Sequence, residues 1–165
     1  PGVEADVAYL QLTSGSTADP KAVVVSHDNA TANIDMIGAG SGVSADDRVA
    51  SWLPLYHDMG LLGTLLFALR HGLDLVLLPP QAFLTRPVRW LEAISQRRCT
   101  LSPAPAFAFP YVAHRAKDEE LAGLDLSSWR IAYCGAEPIH GPAVRRFVER
   151  LAPRGLRAGT IFPCY

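Results

Sequence analysis

The apolar positions of the chain fall into short strand-like runs separated by stretches with helical spacing. Val7 to Leu12 reads as a strand, and Ala22 to Ser26, with Val23, Val24 and Val25 in succession, reads as its return partner in a hairpin. From there the period changes. Ser26 and Asp28 are good helix N-caps, and Ala30, Ile34 and Ile37 recur at helical intervals over Asn29 to Gly38, which a glycine-rich exit at Gly38, Gly40 and Gly42 stops. Asp46, Asp47 and Arg48 form a solvated turn into a strand over Val49 to Leu53 that Pro54 ends.

The remainder continues the alternation. After LPLYHDMGLLG (Leu53 to Gly63) an apolar helix runs to His71, and Leu73 to Leu78, LDLVLL, is nearly continuous in apolar residues, as a strand buried on both faces of a parallel sheet would be. Pro87 suits the first turn of a helix that carries Trp90, Leu91 and Ile94 and ends near Arg98. Cys99 to Ser102 reads as a short strand, Pro105 to Lys117 as a helix with Pro110 inside it, and Lys117 to Gly123 as a charged, exposed stretch. Trp129 to Cys134 is a strand stopped by Gly135. Pro142 to Leu151 is a helix with Val144, Phe147, Val148 and Leu151 on one face and Arg145, Arg146, Glu149 and Arg150 towards water, and Thr160 to Cys164 is a last strand. The alternation predicts an α/β fold: a mainly parallel sheet flanked by helices.

Composition narrows the function classes. With 165 residues, 49% of them hydrophobic and 19% charged, the chain can bury the core of one domain. A formal net charge of −1 gives no basic footprint, which argues against nucleic acid as the main partner. The longest apolar run, Met59 to Leu69, is about half the roughly twenty residues that a membrane span needs. The opening PGVEAD has no charged leader followed by an apolar stretch, so no signal peptide is expected. Cys99, Cys134 and Cys164 form no CxxC pair, so neither a zinc site nor a disulfide framework is indicated, and a cytoplasmic location is expected.

Three stretches carry candidate chemistry. In the first, YLQLTSGSTADPKAVVVSH, a tip of small and hydroxylated residues (Thr13, Ser14, Gly15, Ser16 and Thr17) is followed by Lys21; hydroxyls, unobstructed backbone N–H groups and a mobile ammonium are what phosphate oxygens need. An ordinary turn between two strands has the same composition, and the spacing is not that of a Walker loop. In the second, Tyr56, His57 and Asp58 follow a strand end, where open parallel sheets hold ligands. A histidine beside an aspartate suits acid and base work, or it simply caps the next helix. In the third, Gly135, Ala136, Glu137 and Pro138 follow another strand end: small residues admit a flat ring, and Glu137 can accept from an amine or hydroxyl or be a solvated turn residue. Tyr165 could stack on such a ring or belong to a core. No GxSxG elbow is present, so a serine hydrolase is not indicated.

Taken jointly, TSGSTADPKAVVVSH, SWLPLYHDMGLLG and YCGAEPIH with FPCY resemble the adenylate-forming superfamily of acyl and aryl coenzyme A synthetases, nonribosomal peptide adenylation domains and luciferases. WLPLYHDMGL and GAEP look most like its fatty acyl-AMP ligases. The resemblance implies a portion of the large N-terminal domain of such an enzyme, in which a fatty carboxylate attacks the α-phosphorus of ATP to give acyl-AMP and pyrophosphate, with Mg²⁺, before transfer to an acyl carrier protein. It implies that Thr13 to Thr17 and Lys21 hold the β and γ phosphates, with Lys21, Thr17 and His57 catalytic. Tyr56 and His57 would sit near the carboxylate and α-phosphate, Asp58, Met59 and Gly60 would shape the acyl entrance, and Gly135, Ala136, Glu137 and Tyr165 would frame the adenine. No protein metal ligand is assigned.

Two departures stand out. Ala18 and Ala22 occupy positions that are usually glycine in the family loop, and each adds a Cβ where a glycine-only conformation is expected. The family's magnesium-binding glutamate, ribose-binding aspartate, hinge and small C-terminal domain with its catalytic lysine would all follow Tyr165, so the 165 residues are expected to be an internal piece that does not complete adenylation alone. A coenzyme A ligase and a non-catalytic nucleotide- or acyl-binding or interaction module are the alternatives.

Overall fold

The computed structural model describes residues 6–13 and 21–164. Strands β1 (Val7–Thr13) and β2 (Lys21–Ser26) pair antiparallel, with Leu10 opposite Val24 and Thr13 opposite Lys21. The expected tip, Ser14 to Thr17, lies outside the described residues, as does Tyr165.

Helix α1 (His27–Ser41) starts at once, because Ser26 is its N-cap and forms a reciprocal capping box with Asn29. It runs past Gly38 and Gly40 and ends only at Gly42, which takes the left-handed conformation with φ of 55°. The glycine-rich segment therefore does not stop the helix where the sequence pattern places its end; the stop is the one glycine with positive φ.

Strand β3 (Arg48–Ser51) leads through a loop to α2 (Asp58–Gly60), a π-helical segment over Leu61–Leu66, and α3 (Phe67–His71). The wide turns are tied by the buried Thr64 hydroxyl, which donates to Met59 O at 2.9 Å, and by Phe67 N–H, which donates to Leu62 O. Strand β4 (Asp74–Leu77) is parallel to β3 but lies at the sheet edge, with Leu77 46% exposed. The expectation of a strand buried on both faces is thus corrected: apolar composition does not distinguish a central from an edge strand.

The next element, α4 (Pro80–Thr85), was not expected, although a proline at the first helical turn is a recognisable start. Then come α5 (Val88–Arg97), β5 (Leu101–Pro105), α6 (Ala108–Arg115), α7 (Asp118–Leu121), β6 (Ile131–Gly135), α8 (Gly141–Leu151) and β7 (Ile161–Pro163). Two expectations change here. Pro105 ends a strand, and Pro110 falls in the first turn of α6, where no intrahelical N–H donor is needed, so it does not disturb the helix. The stretch after Lys117 holds a helical turn whose Leu121 is buried.

The five-stranded sheet is parallel throughout, in the order β4-β3-β5-β6-β7. Alternation along β5 and β6 divides their side chains between two cores. Ser102, Ala104, Ala132 and Cys134 face α5, α6 and α8, where Trp90, Trp129, Phe109 and Phe147 pack edge to face. Leu101, Ile131 and Tyr133 face α1 and α3 through Ile34, Phe67 and Ala68.

Strand order reverses between β3 and β5, and there the ladder is thin, with Val49 opposite Leu101 the paired position. Pro103 and Pro105 carry no N–H to extend it. A buried side-chain relay ties the two strands instead: Trp90 Nε1 donates to Ser102 Oγ at 2.7 Å, and that hydroxyl donates to Ala50 O at 2.6 Å.

Candidate functional site at the carboxyl edge of the sheet

The carboxyl ends of β3, β5, β6 and β7 lie side by side, so the second and third candidate stretches meet at one edge, beside the point where strand order reverses. The hairpin is fastened to the same edge, because Gln11 Nε2 donates to Tyr56 O at 3.0 Å. The register of β1 and β2 puts Thr13 and Lys21 opposite each other at the base of the tip.

After β3 the chain turns with His57 N–H donating to Pro54 O at 3.2 Å. Gly60 is required there by close packing, since a Cβ would lie 2.2 Å from Pro54 O. His57 is the N-cap of α2, with Nδ1 3.2 Å from Met59 N and 2.8 Å from Asp58 Oδ1. A bare Nδ1 accepts from Met59 N–H, whereas an Nδ1 that carries hydrogen donates to Asp58. Both side chains are more than half exposed. The Tyr9 hydroxyl nearby has its pKa raised, by burial first and then by the Asp58 charge.

The turn after β6 is held from two sides. A Cβ on Gly135 would lie 2.1 Å from Cys164 O, so only glycine lets the turn rest against the end of β7. Ala136 adopts φ of 62°, a left-handed conformation that alanine rarely takes. Glu137 then reaches across to β5, and its carboxylate accepts from Phe107 N–H at 2.6 Å, at the start of α6. The exposed Glu137 side chain thus ties the β6 turn to the start of α6.

Between α1 and the α2–π segment a cleft of about 650 Å³ opens on the sheet face. Its mouth holds His57, Asp58 and Met59, and Ala136 borders it from the β6 turn. One wall is the α1 stripe Asn33, Met36, Ile37 and Gly40; the other continues from Met59 to Leu62 and Gly63. Pro103, Tyr133, Phe162 and Cys164 form the floor. Of the expected acid-binding residues, His57, Asp58 and Met59 line this cleft. Gly60 packs behind it, and Tyr56 is 83% exposed with its carbonyl engaged by Gln11. The α1 wall and the floor were not found from sequence. The available signal was Met36, an apolar residue off the stripe of Ala30 and Ile34, and the structure leaves it 70% exposed.

Burial raises the pKa of Cys164 and takes that of Cys134 to about 11, so both remain thiols at neutral pH and neither is a nucleophile. Among the described residues no group of three or more His, Cys, Asp and Glu comes together as a metal site, and no helix is long and apolar enough to cross a membrane. An apolar cleft with an imidazole and a carboxylate at its mouth suits an amphiphile whose polar end stays at the sheet edge.

Likeness to known proteins agrees with this geometry. The model of the AMP-binding enzyme family matches residues 1–163. A long-chain-fatty-acid–AMP ligase of Mycobacterium marinum is 44% identical over 163 residues, covering 96% of this chain and 28% of that protein. A medium-chain-fatty-acid–[acyl-carrier-protein] ligase of Teredinibacter turnerae is 40% identical over 160 residues, covering 97% and 25%. The crystal structure of a fatty acyl-adenylate ligase from L. pneumophila, in complex with acyl adenylate and pyrophosphate, superposes with a TM-score of 0.94 at 39% identity, covering 98% of this chain and 28% of that one. The chain thus spans about a quarter of the length of the curated relatives it matches. The chain therefore belongs to the AMP-binding, adenylate-forming enzyme family, and within it is similar to the fatty acyl-AMP ligases.

Proposed function

We propose that the chain is the central part of the N-terminal domain of a longer ligase that activates a fatty acid with ATP, forming acyl-AMP and pyrophosphate, and then passes the acyl group to an acyl carrier protein. The observation that carries this reading is the apolar cleft opening beside His57 at the carboxyl edge, in a chain of this family. The acyl chain lies between α1 and the π segment, with its carboxylate at Tyr56 and His57. ATP supplies the phosphorus to which a carboxylate oxygen bonds as pyrophosphate leaves, with Mg²⁺ as its counterion. Thr13 to Thr17 and Lys21 hold the β and γ phosphates, and Gly135, Ala136, Glu137 and Tyr165 frame the adenine.

The work of these residues is positioning and charge neutralisation. His57 donates to the developing charge at the mouth, Lys21 and Thr17 steady the leaving pyrophosphate, and Glu137 keeps the adenine turn in place through Phe107. Support for the carrier-protein acceptor comes from the names of relatives in Teredinibacter turnerae and Moorena producens. Residues 1–165 by themselves are not expected to complete the reaction.

The test is fatty-acid-dependent exchange of labelled pyrophosphate into ATP by the intact ligase, followed by acyl transfer to a carrier protein and to coenzyme A. Exchange with transfer to the carrier protein is expected. Tight binding of an acyl-adenylate analogue with no exchange at any chain length would overturn the reading, and transfer to coenzyme A alone would overturn the acceptor.

A further inference from the structure

Glycines close to the cleft divide into two kinds. Gly38 lets His71 pack on α1, since a Cβ there would lie 2.8 Å from His71 Nε2; Gly42 supplies the left-handed end of α1; Gly60 lets α2 rest on Pro54 O. Each of these has a reason in the backbone or in packing. Gly40 and Gly63 have neither. Both lie inside helical segments without positive φ, a Cβ on Gly40 would meet no heavy atom within 4 Å, and one on Gly63 would meet only Met59 Cγ at 4.0 Å. Glycine is among the least favourable residues inside a helix, and alanine would fit at both places and stabilise them. What the two share is the cleft: Gly40 belongs to its α1 wall and Gly63 to its π-segment wall, among the apolar side chains Met36, Ile37, Met59 and Leu62.

We propose that Gly40 and Gly63 set the bore of the cleft, and through it the length of acyl chain the ligase accepts. The inference rests on the fatty-acid reading above and adds to it the residues that select among fatty acids. The two act at different depths. The π segment descends from the His57 mouth, so Gly63 sits roughly 9 Å down at helical rise. Helix α1 ends at the opposite edge of the sheet, where Ser41 O accepts from Arg130, so Gly40 lies at the far end of its wall. A side chain at 63 narrows the passage for every chain beyond the shortest; one at 40 meets only the longest.

The experiment compares pyrophosphate exchange by the intact ligase, as wild type and as Gly63→Leu, Gly40→Leu, Gly63→Ala and Gly40→Ala, on hexanoate, laurate and palmitate. Gly63→Leu is expected to lose at least tenfold in kcat/KM on laurate and palmitate while keeping hexanoate within twofold, and Gly40→Leu to lose that much on palmitate alone. Both alanine variants should melt at higher temperature than wild type, and Gly63→Ala should show a smaller loss in the same direction, so the comparison survives if a leucine variant fails to fold. An unchanged chain-length profile in folded, active variants would overturn the inference. Wild type that exchanges with no acid would instead overturn the proposed function, and this inference with it.

Discussion

The two edges of the sheet are built on opposite terms. At the amino edge, charged side chains are consumed by partners. Asp47, 4% exposed, accepts from Ser44 N–H, from the Thr100 hydroxyl at 2.6 Å and from Arg130 Nη2 at 2.7 Å, while Arg130 Nη1 donates to Ser41 O at the end of α1. At the carboxyl edge, single side chains bonded to backbone groups and a close-packed glycine do the fastening, through Gln11 to Tyr56 O, Glu137 to Phe107 N–H, and Gly135 against Cys164, and the His57 and Asp58 side chains stay more than half exposed beside an open cleft. One edge spends its charged side chains on holding helix α1 to the sheet; the other keeps His57 and Asp58 exposed at a cleft.

The sharpest break in that comparison is Gly135→Ala. Its Cβ would collide with a backbone carbonyl that cannot swing aside, at a cost of about 3 kcal/mol. Urea unfolding should register that loss, together with loss of acyl-adenylate binding, because β6 and β7 separate at the edge where the adenine turn sits.

Arg130→Ala attacks the opposite edge. It strands a buried carboxylate and uncaps α1, and because the guanidinium is itself about one-third exposed, a loss of about 2 kcal/mol is expected. Pyrophosphate exchange measured well below the melting temperature should stay near wild type. The same clasp has a pH signature. Burial pushes the Asp47 pKa up, but the hydrogen bonds from Arg130, Thr100 and Ser44 outweigh it and leave the carboxyl below its ordinary 3.8. Its stabilisation is therefore complete above that ordinary value and lost as pH falls through the lower folded one. Asp47→Asn should flatten the acid limb of a stability-versus-pH curve.

The smallest effect belongs to Ala136→Gly. Removing the Cβ from a left-handed residue relieves strain, offset by added freedom in the unfolded chain, for a net gain of about 0.5 kcal/mol. The same change loosens the turn that aims Glu137, so thermal stability should rise slightly while affinity for an acyl-adenylate analogue falls.

How much of this was readable in the sequence follows the range of the interactions. Ser26 as an N-cap, Gly135 as a strand stop and the apolar face of α8 are local, and they stand as read, although Arg150, expected towards water, turns in to donate to Ala113 O and Ala116 O at the end of α6. The parallel sheet and the meeting of two candidate stretches at one edge followed from strand–helix alternation, although the strand order that puts β4 at the rim did not. Pro103 and Pro105 are unfavourable in a central strand, and the Trp90–Ser102–Ala50 relay that compensates for them joins residues 52 apart in sequence and leaves no local signal. The cleft was half legible. His57, Asp58 and Met59 advertised themselves by chemistry, whereas Met36, Gly40, Gly63 and Tyr133 face it only because α1 and the π segment pack side by side on the sheet. The tip of the phosphate loop, Ser14 to Thr17, and the adenine contact assigned to Tyr165 fall outside the described residues, and both rest on the family resemblance.

The central claim, that ligand chemistry belongs to the carboxyl edge while the amino edge only holds α1 to the sheet, is tested most directly by backbone hydrogen exchange of the intact ligase with and without a non-hydrolysable acyl-sulfamoyl adenosine. Protection is predicted at residues 56–63, at 135–137 and along the cleft face of α1, with Asp47, Thr100 and Arg130 equally protected in both states. Protection centred on the Asp47–Arg130 clasp, with residues 56–63 and 135–137 unchanged, would contradict the account.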